Sequence, residues 1–185
     1  EEKQLADAMG TLISNCTFGA IDANTAPMFD IEYVFLQLRA KSAGAKIKLN
    51  ITCPDDEKTT VEVEIDLDEI GVQLSVEHSQ EIIVTKDIKM KLRYPMLKDL
   101  QGLYDDLGDF EKGMSMVSQC IESVIHGDEE IHRIDMTQDE ITEFIDSFTT
   151  EQLEGVMKFF ETMPKLRHVV DVINPKTKVK SEVLL

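Results

Sequence analysis

Two neighbouring segments constrain most strongly what this chain can fold into. Ile47, Leu49, Ile51 and Cys53 alternate with Lys46, Lys48, Asn50 and Thr52, while Val61, Val63, Ile65 and Leu67 alternate with Glu62, Glu64, Asp66 and Asp68. Period-two alternation gives each segment one apolar face, the pattern of a half-buried strand. The turn-rich Pro54-Asp-Asp-Glu-Lys58 between them predicts an antiparallel hairpin. Its polar faces carry opposite signs, so Lys46 and Lys48 are expected opposite Asp68 and Asp66. Cross-strand pairs of this kind contribute about 0.2–1 kcal/mol each and hold the register.

The sheet is expected to continue through residues 72–76 and 82–84. It then meets a second basic-faced strand, where Ile88, Met90, Leu92 and Tyr94 alternate with Lys89, Lys91 and Arg93. Ahead of the hairpin, residues 1–17 read as a helix with Leu5, Met9, Leu12, Ile13 and Cys16 on one side. A second helix, residues 29–42, places Ile31, Val34, Phe35 and Leu38 at helical spacing. Tyr33, Leu36 and Ala40 widen that stripe so far that the helix should be nearly enclosed, by its own domain or by a partner.

From residue 95 the pattern turns helical. Residues 96–107 and 110–125 are helix candidates broken near Gly108, and a short strand is expected over 130–135. Thr137-Gln-Asp-Glu140 is a capping box, with Met136 and Ile141 spaced as a hydrophobic staple, and Thr149 with Gln152 repeats the device. Residues 166–173 and 179–185 read as a terminal hairpin across Asn174-Pro-Lys-Thr177. The expected class is α+β: an antiparallel sheet of four to five strands packed with a segregated set of helices and a C-terminal β-hairpin. Residues 1–95 would hold the N-terminal helices plus the sheet, and residues 96–185 the helical region with its closing hairpin, together one compact unit. The chain starts and stops within such patterns, so a native chain longer at both ends is expected.

The 36 acidic and 19 basic residues leave a net charge of −17. That charge disfavours nucleic acid, because phosphate binding needs Lys and Arg to displace counterions. No apolar run reaches the length of a membrane span. Cys16, Cys53 and Cys120 are odd in number and widely spaced, which fits buried reduced thiols. The nine glycines form no phosphate loop, and no G-x-S-x-G or H-E-x-x-H is present. Glu129 and His132 make a single E-x-x-H, whereas a di-iron bundle needs two. Around Asp128 the fifth and sixth positions of a calcium loop are His132 and Arg133, which fails the spacing. Asp55-Asp56 and Asp105-Asp106 fall in turns with no partner base. No metal or cofactor is expected. Nine methionines with no tryptophan give adaptable apolar surface instead.

The string Asp30-Ile-Glu-Tyr33, running into Leu38-Arg-Ala-Lys-Ser42 and then into a strand ending at Cys53, resembles the baseplate hub-assembly family of T-even-type contractile-tailed phages. The likeness covers about residues 1–53 and returns at Phe160-Glu-Thr-Met-Pro-Lys-Leu166. It implies a non-enzymatic protein that builds the central hub through contacts with other hub or tail proteins, in the host cytoplasm during assembly or in the tail of the virion. Homo-oligomerisation is compatible with it. The residues singled out for partner binding are Tyr33, Arg39, Met114, Met116, Met157 and Phe160. The competing reading is a small cytoplasmic enzyme whose site leaves no local motif.

Overall fold

A computed structural model describes residues 2–100 and 108–185. In chain order the elements are α1 (Glu2–Cys16), α2 (Met28–Ala43), β1 (Lys46–Thr52), β2 (Thr60–Asp66), β3 (Gly71–Gln73), β4 (Glu81–Ile83), β5 (Ile88–Leu92) and α3 (Leu97–Leu100). They continue with α4 (Asp109–Cys120), β6 (Ile121–His126), β7 (Glu129–His132), α5 (Gln138–Asp146), α6 (Thr150–Thr162), β8 (Lys165–Arg167), β9 (Val169–Ile173) and β10 (Lys180–Leu184). The class is α+β with antiparallel sheets, the largest of four strands, and a C-terminal hairpin. The chain forms two compact units, residues 1–28 with 74–163 and residues 29–73 with 164–185, so each draws on both sides of residue 95.

The first unit is built on the sheet β4-β5-β6-β7. Met90 and Leu92 from β5, Ile121 from β6, Val117 and Cys120 from α4, Ile141 and Ile145 from α5, and Val156 and Phe159 from α6 make one buried cluster. Residues 121–125 belong to this sheet and not to a helix as the sequence led us to expect. The run Ile121-Glu-Ser-Val-Ile125 is rich in β-branched side chains, which lose rotamer freedom in a helix, and α4 stops at Cys120. Glu122 is the extra residue of a bulge between Lys91 and Leu92 of β5. The basic face of β5 therefore finds its acids here: Lys91 pairs with Glu122 at 3.2 Å and Lys89 with Glu81 at 3.6 Å.

Both capping boxes form as expected. Thr137 accepts from the Glu140 N–H while Glu140 accepts from the Thr137 N–H, and Thr149 and Gln152 repeat the exchange. The strand expected over 130–135 is shorter: β7 gives way to a 3₁₀ turn, Arg133–Asp135. Of the helix expected over 96–107 the structure describes Leu97–Leu100, and the remainder, with Asp105-Asp106, lies outside the described residues. α1 approaches α3 at Gly10, where a Cβ would come within 3.4 Å of Leu97. It ends on two left-handed residues, Phe18 and Gly19. Gly19 suits that conformation; Phe18 is an uncommon occupant and is fully exposed.

The second unit holds three two-stranded sheets, β1-β2, β3-β8 and β9-β10. Ile51, Cys53, Ile65, Val170 and Val172 form its core. The predicted hairpin is present, but its register is two residues from the expected one: Lys46 faces Asp66 and Lys48 faces Glu64. A slip of two keeps every side chain on its own face, so the expected pairs with Asp68 and Asp66 are replaced by diagonal ones, Lys46–Glu64 at 3.1 Å and Lys48–Glu62 at 2.7 Å. The cause is local. Asp66 accepts from the Asp68 N–H and starts a 3₁₀ turn, Leu67–Glu69, which takes Asp68 out of the strand. The expected strands 72–76 and 166–173 are also cut: β3 spans three residues and pairs with β8, and β9 alone pairs with β10.

Helix α2 is less covered than its wide apolar stripe suggested. Ile31 and Ala40 are buried, yet Tyr33 and Phe35 are each 38% exposed. Its broad stripe thus leaves aromatic surface open to solvent.

Candidate functional site

A cleft of about 420 Å³ in the first unit is lined by Arg93, Lys98, Asp99, Gln119, Glu122 and Arg133. Arg93 Nη1 donates to Asp99 Oδ2 at 2.6 Å and to the Tyr94 carbonyl at 3.1 Å. Its Nη2 donates to Asp99 Oδ1 at 2.8 Å and to the Gln119 carbonyl at 2.7 Å. Asp99, 1% exposed, also accepts from the Met96 N–H at 2.8 Å. Hydrogen bonding to Asp99 holds the guanidinium pKa above its ordinary value. Four of the five guanidinium donor directions are committed, so the fork is a clamp joining β5, α3 and the end of α4 and offers little to an incoming anion. Arg133 is also engaged, donating to the Met136 carbonyl at 3.1 Å and to Gln138 Oε1 at 2.8 Å.

Other titratable groups are similarly committed. His78 packs against both Tyr94 and Phe159, with ring centroids at 5.5 and 5.1 Å, and those two rings lie 5.9 Å from each other. Its Nδ1 meets Thr162 Oγ1 at 3.0 Å, its Nε2 is buried with no hydrogen-bond partner, and burial lowers its pKa. Cys53 and Cys120 are buried as expected, and burial pushes the Cys120 thiol up to about 12, which makes it inert. Cys16 departs from the expectation: it sits on the exposed side of α1. Asp55 accepts from Thr177 Oγ1 and Asn174 Nδ2, and these bonds lower its pKa. Asp56 accepts from the Thr59 side chain and N–H, which lower its pKa strongly. Among the described residues, no group of three or more His, Cys, Asp or Glu is placed to hold a metal, and no helix is long and apolar enough to cross a membrane.

What the chain does offer is surface. Of the six partner-binding candidates, Met114, Met116 and Phe160 lie half-buried against the core of the first unit, and Met116 Sδ accepts from the Cys120 thiol at 3.8 Å. Met157, on the outer side of α6, is 53% exposed. Tyr33 and Arg39 belong to the second unit, on the exposed side of α2, where Arg39 donates to the Gly44 carbonyl at 3.2 Å. Sequence reasoning missed another feature of the first unit. Val124, Ile131, Met136, Ile141 and Phe144 line a groove of about 240 Å³, with Asp135 and Glu140 at its edge. Beside it Ile134 is 91% exposed. The available signal was a cluster of apolar residues in a strongly acidic stretch, since residues 128–146 hold eight acids and one arginine.

A family model described as T4 bacteriophage base plate protein matches residues 1–185. No curated protein and no solved structure matches the chain.

Proposed function

Because the chain belongs to the T4 bacteriophage base plate protein family, we propose that it acts in assembly of the baseplate's central hub, through contacts with other baseplate proteins and without catalysis. The observation that carries this reading is the combination of committed polar chemistry with open apolar surface. Arg93, Asp99 and Asp55 are all spent on holding the fold, whereas Ile134, Met157, Tyr33 and Phe35 face solvent. Apolar side chains on so acidic a chain favour docking in which charge sets the encounter and apolar contact supplies most of the affinity. The host cytoplasm during assembly and the tail of the virion are the places where such contacts form.

Affinity capture of the tagged chain from infected cells, with quantitative mass spectrometry at low and high salt, tests the proposal. Hub subunits should be enriched over other tail proteins, and less so as salt rises. Comparing immature hubs with finished particles separates a transient assembly factor from a resident subunit. If hub subunits are absent at low salt while a substrate screen gives turnover, the enzyme reading replaces this one.

A further inference from the structure

We infer that the groove between β7 and α5 receives an extended, basic-and-apolar segment of a partner polypeptide, which adds as a further strand to the free edge of β7. This deepens the assembly reading and rests on it. In the sheet order β4-β5-β6-β7, β7 has no strand on its far side among the described residues. An unpaired strand edge is a ready template for β-addition, where main-chain bonds give affinity and alternate side chains enter pockets.

The pocket is in the right place. Val124 and Ile131 are cross-strand partners and share one face of the sheet, where Met136, Ile141 and Phe144 complete the groove. Its volume of about 240 Å³ exceeds the roughly 150 Å³ of an apolar cavity that takes up benzene, so one large side chain of the added strand fits.

Charge selects the occupant. Glu129 lies on the same face of β7 as Ile131, Asp135 stands at the groove edge, and Asp139 and Glu143 are exposed on α5. The nearby cation, Arg133, has both terminal nitrogens bonded within the chain. A second copy of β7 at this edge would bring Glu129, Glu130 and Asp135 close to the same acids of its neighbour, and like charges crowded across a strand pair destabilise it. A segment alternating Lys or Arg with apolar residues has no such penalty.

The test uses the whole chain and a short synthetic peptide alternating lysine with leucine, with a glutamate–leucine peptide as control. Fluorescence anisotropy should show the lysine peptide binding at low salt, more weakly at high salt, and the control not at all. Amide exchange should slow in β7. Glu129→Lys with Asp135→Lys, both on exposed side chains, should weaken binding about tenfold while leaving cooperative unfolding intact. A second variant, Ile131→Ser, should do the same through the apolar contact. Equal binding of the two peptides, or exchange protection confined to other elements, overturns the inference. Hub subunits captured equally by wild type and by the charge-reversed variant also overturn it, and leave the assembly reading standing. Binding of the lysine peptide at β7 without capture of any hub subunit supports the groove and sinks the assembly reading.

Discussion

Replacing Arg93 with methionine separates a structural clamp from a ligand site. The wild-type Asp99 side chain is 2% exposed, and the substitution removes both charged donors to it, leaving the Met96 N–H. Breaking a buried ion pair by deleting one partner costs about 3–5 kcal/mol. The Arg93 side chain is 23% exposed, so water reaches part of the vacated space and the lower end, about 3 kcal/mol, is expected. For a chain of this size that is a fall of roughly 6–12 °C in Tm. The reverse deletion, Asp99→Leu, should cost less, because Arg93 keeps the Tyr94 and Gln119 carbonyls and can turn toward water. The double variant should lose less than the sum of the two, with a coupling of about 0.5–3 kcal/mol. Urea unfolding followed by circular dichroism gives each term from the midpoint and slope. A loss below about 0.5 kcal/mol for Arg93→Met would refute the clamp. So would phosphate that raises the wild-type midpoint and leaves the variant unchanged, since the arginine would then be an anion site.

Three further outcomes follow from the described contacts. Thr137→Ala and Thr149→Ala should each cost about 1 kcal/mol in denaturant unfolding, while Thr→Ser at either position should retain most of it, because the hydroxyl acceptor is kept. Burial lowers the His78 pKa, so the unfolded chain takes up the proton first as pH falls below about 6.5. Stability should hold above that value and decline below it until the folded-state pKa is passed, and His78→Leu should flatten this limb of a pH–Tm curve. Asn174→Ala should cost about 1–3 kcal/mol, because Asn174 is 1% exposed and its side chain ties the turn after β9 to Asp55.

Local patterns in the sequence are legible where one short segment decides the outcome. The two capping boxes are such cases: four residues contain both halves of the hydrogen-bond exchange. The β1-β2 hairpin is another, for its alternation fixes which side chains share a face. Register was legible only to within two residues, because Asp66 could close a turn as readily as continue a strand. The strand at 121–125 was hidden by continuity with an amphipathic helix, and its assignment needed the long-range partner β5. For the same reason Lys89 and Lys91 could not be matched to Glu81 and Glu122 in advance. Nothing local marks His78 for burial, because Glu77 and Ser79 flank it; it packs against Tyr94 and Phe159, which come from elsewhere in the chain.

The groove beside β7 shows why a site of this kind leaves so faint a trace. Each of its parts has an ordinary structural explanation on its own. Acids on a short edge strand blunt aggregation, a Met–Ile staple fixes the start of α5, and Phe144 stacks edge-on against Phe148 at 4.9 Å. Only their convergence is specific. Acids that protect an edge against its own kind also mark it for a strand of the opposite charge, because the repulsion that excludes like-charged strands becomes attraction for a basic one. On a chain of net charge −17, that preference reaches beyond contact distance and weakens as salt rises. Repulsion of a second copy and attraction of a basic partner are therefore one arrangement of charge, and Glu129→Lys with Asp135→Lys probes both. Besides weakening the basic peptide, it removes part of the barrier to acidic segments, so the glutamate peptide should bind better to the variant than to wild type. If neither peptide changes its affinity, the edge acids serve solubility alone.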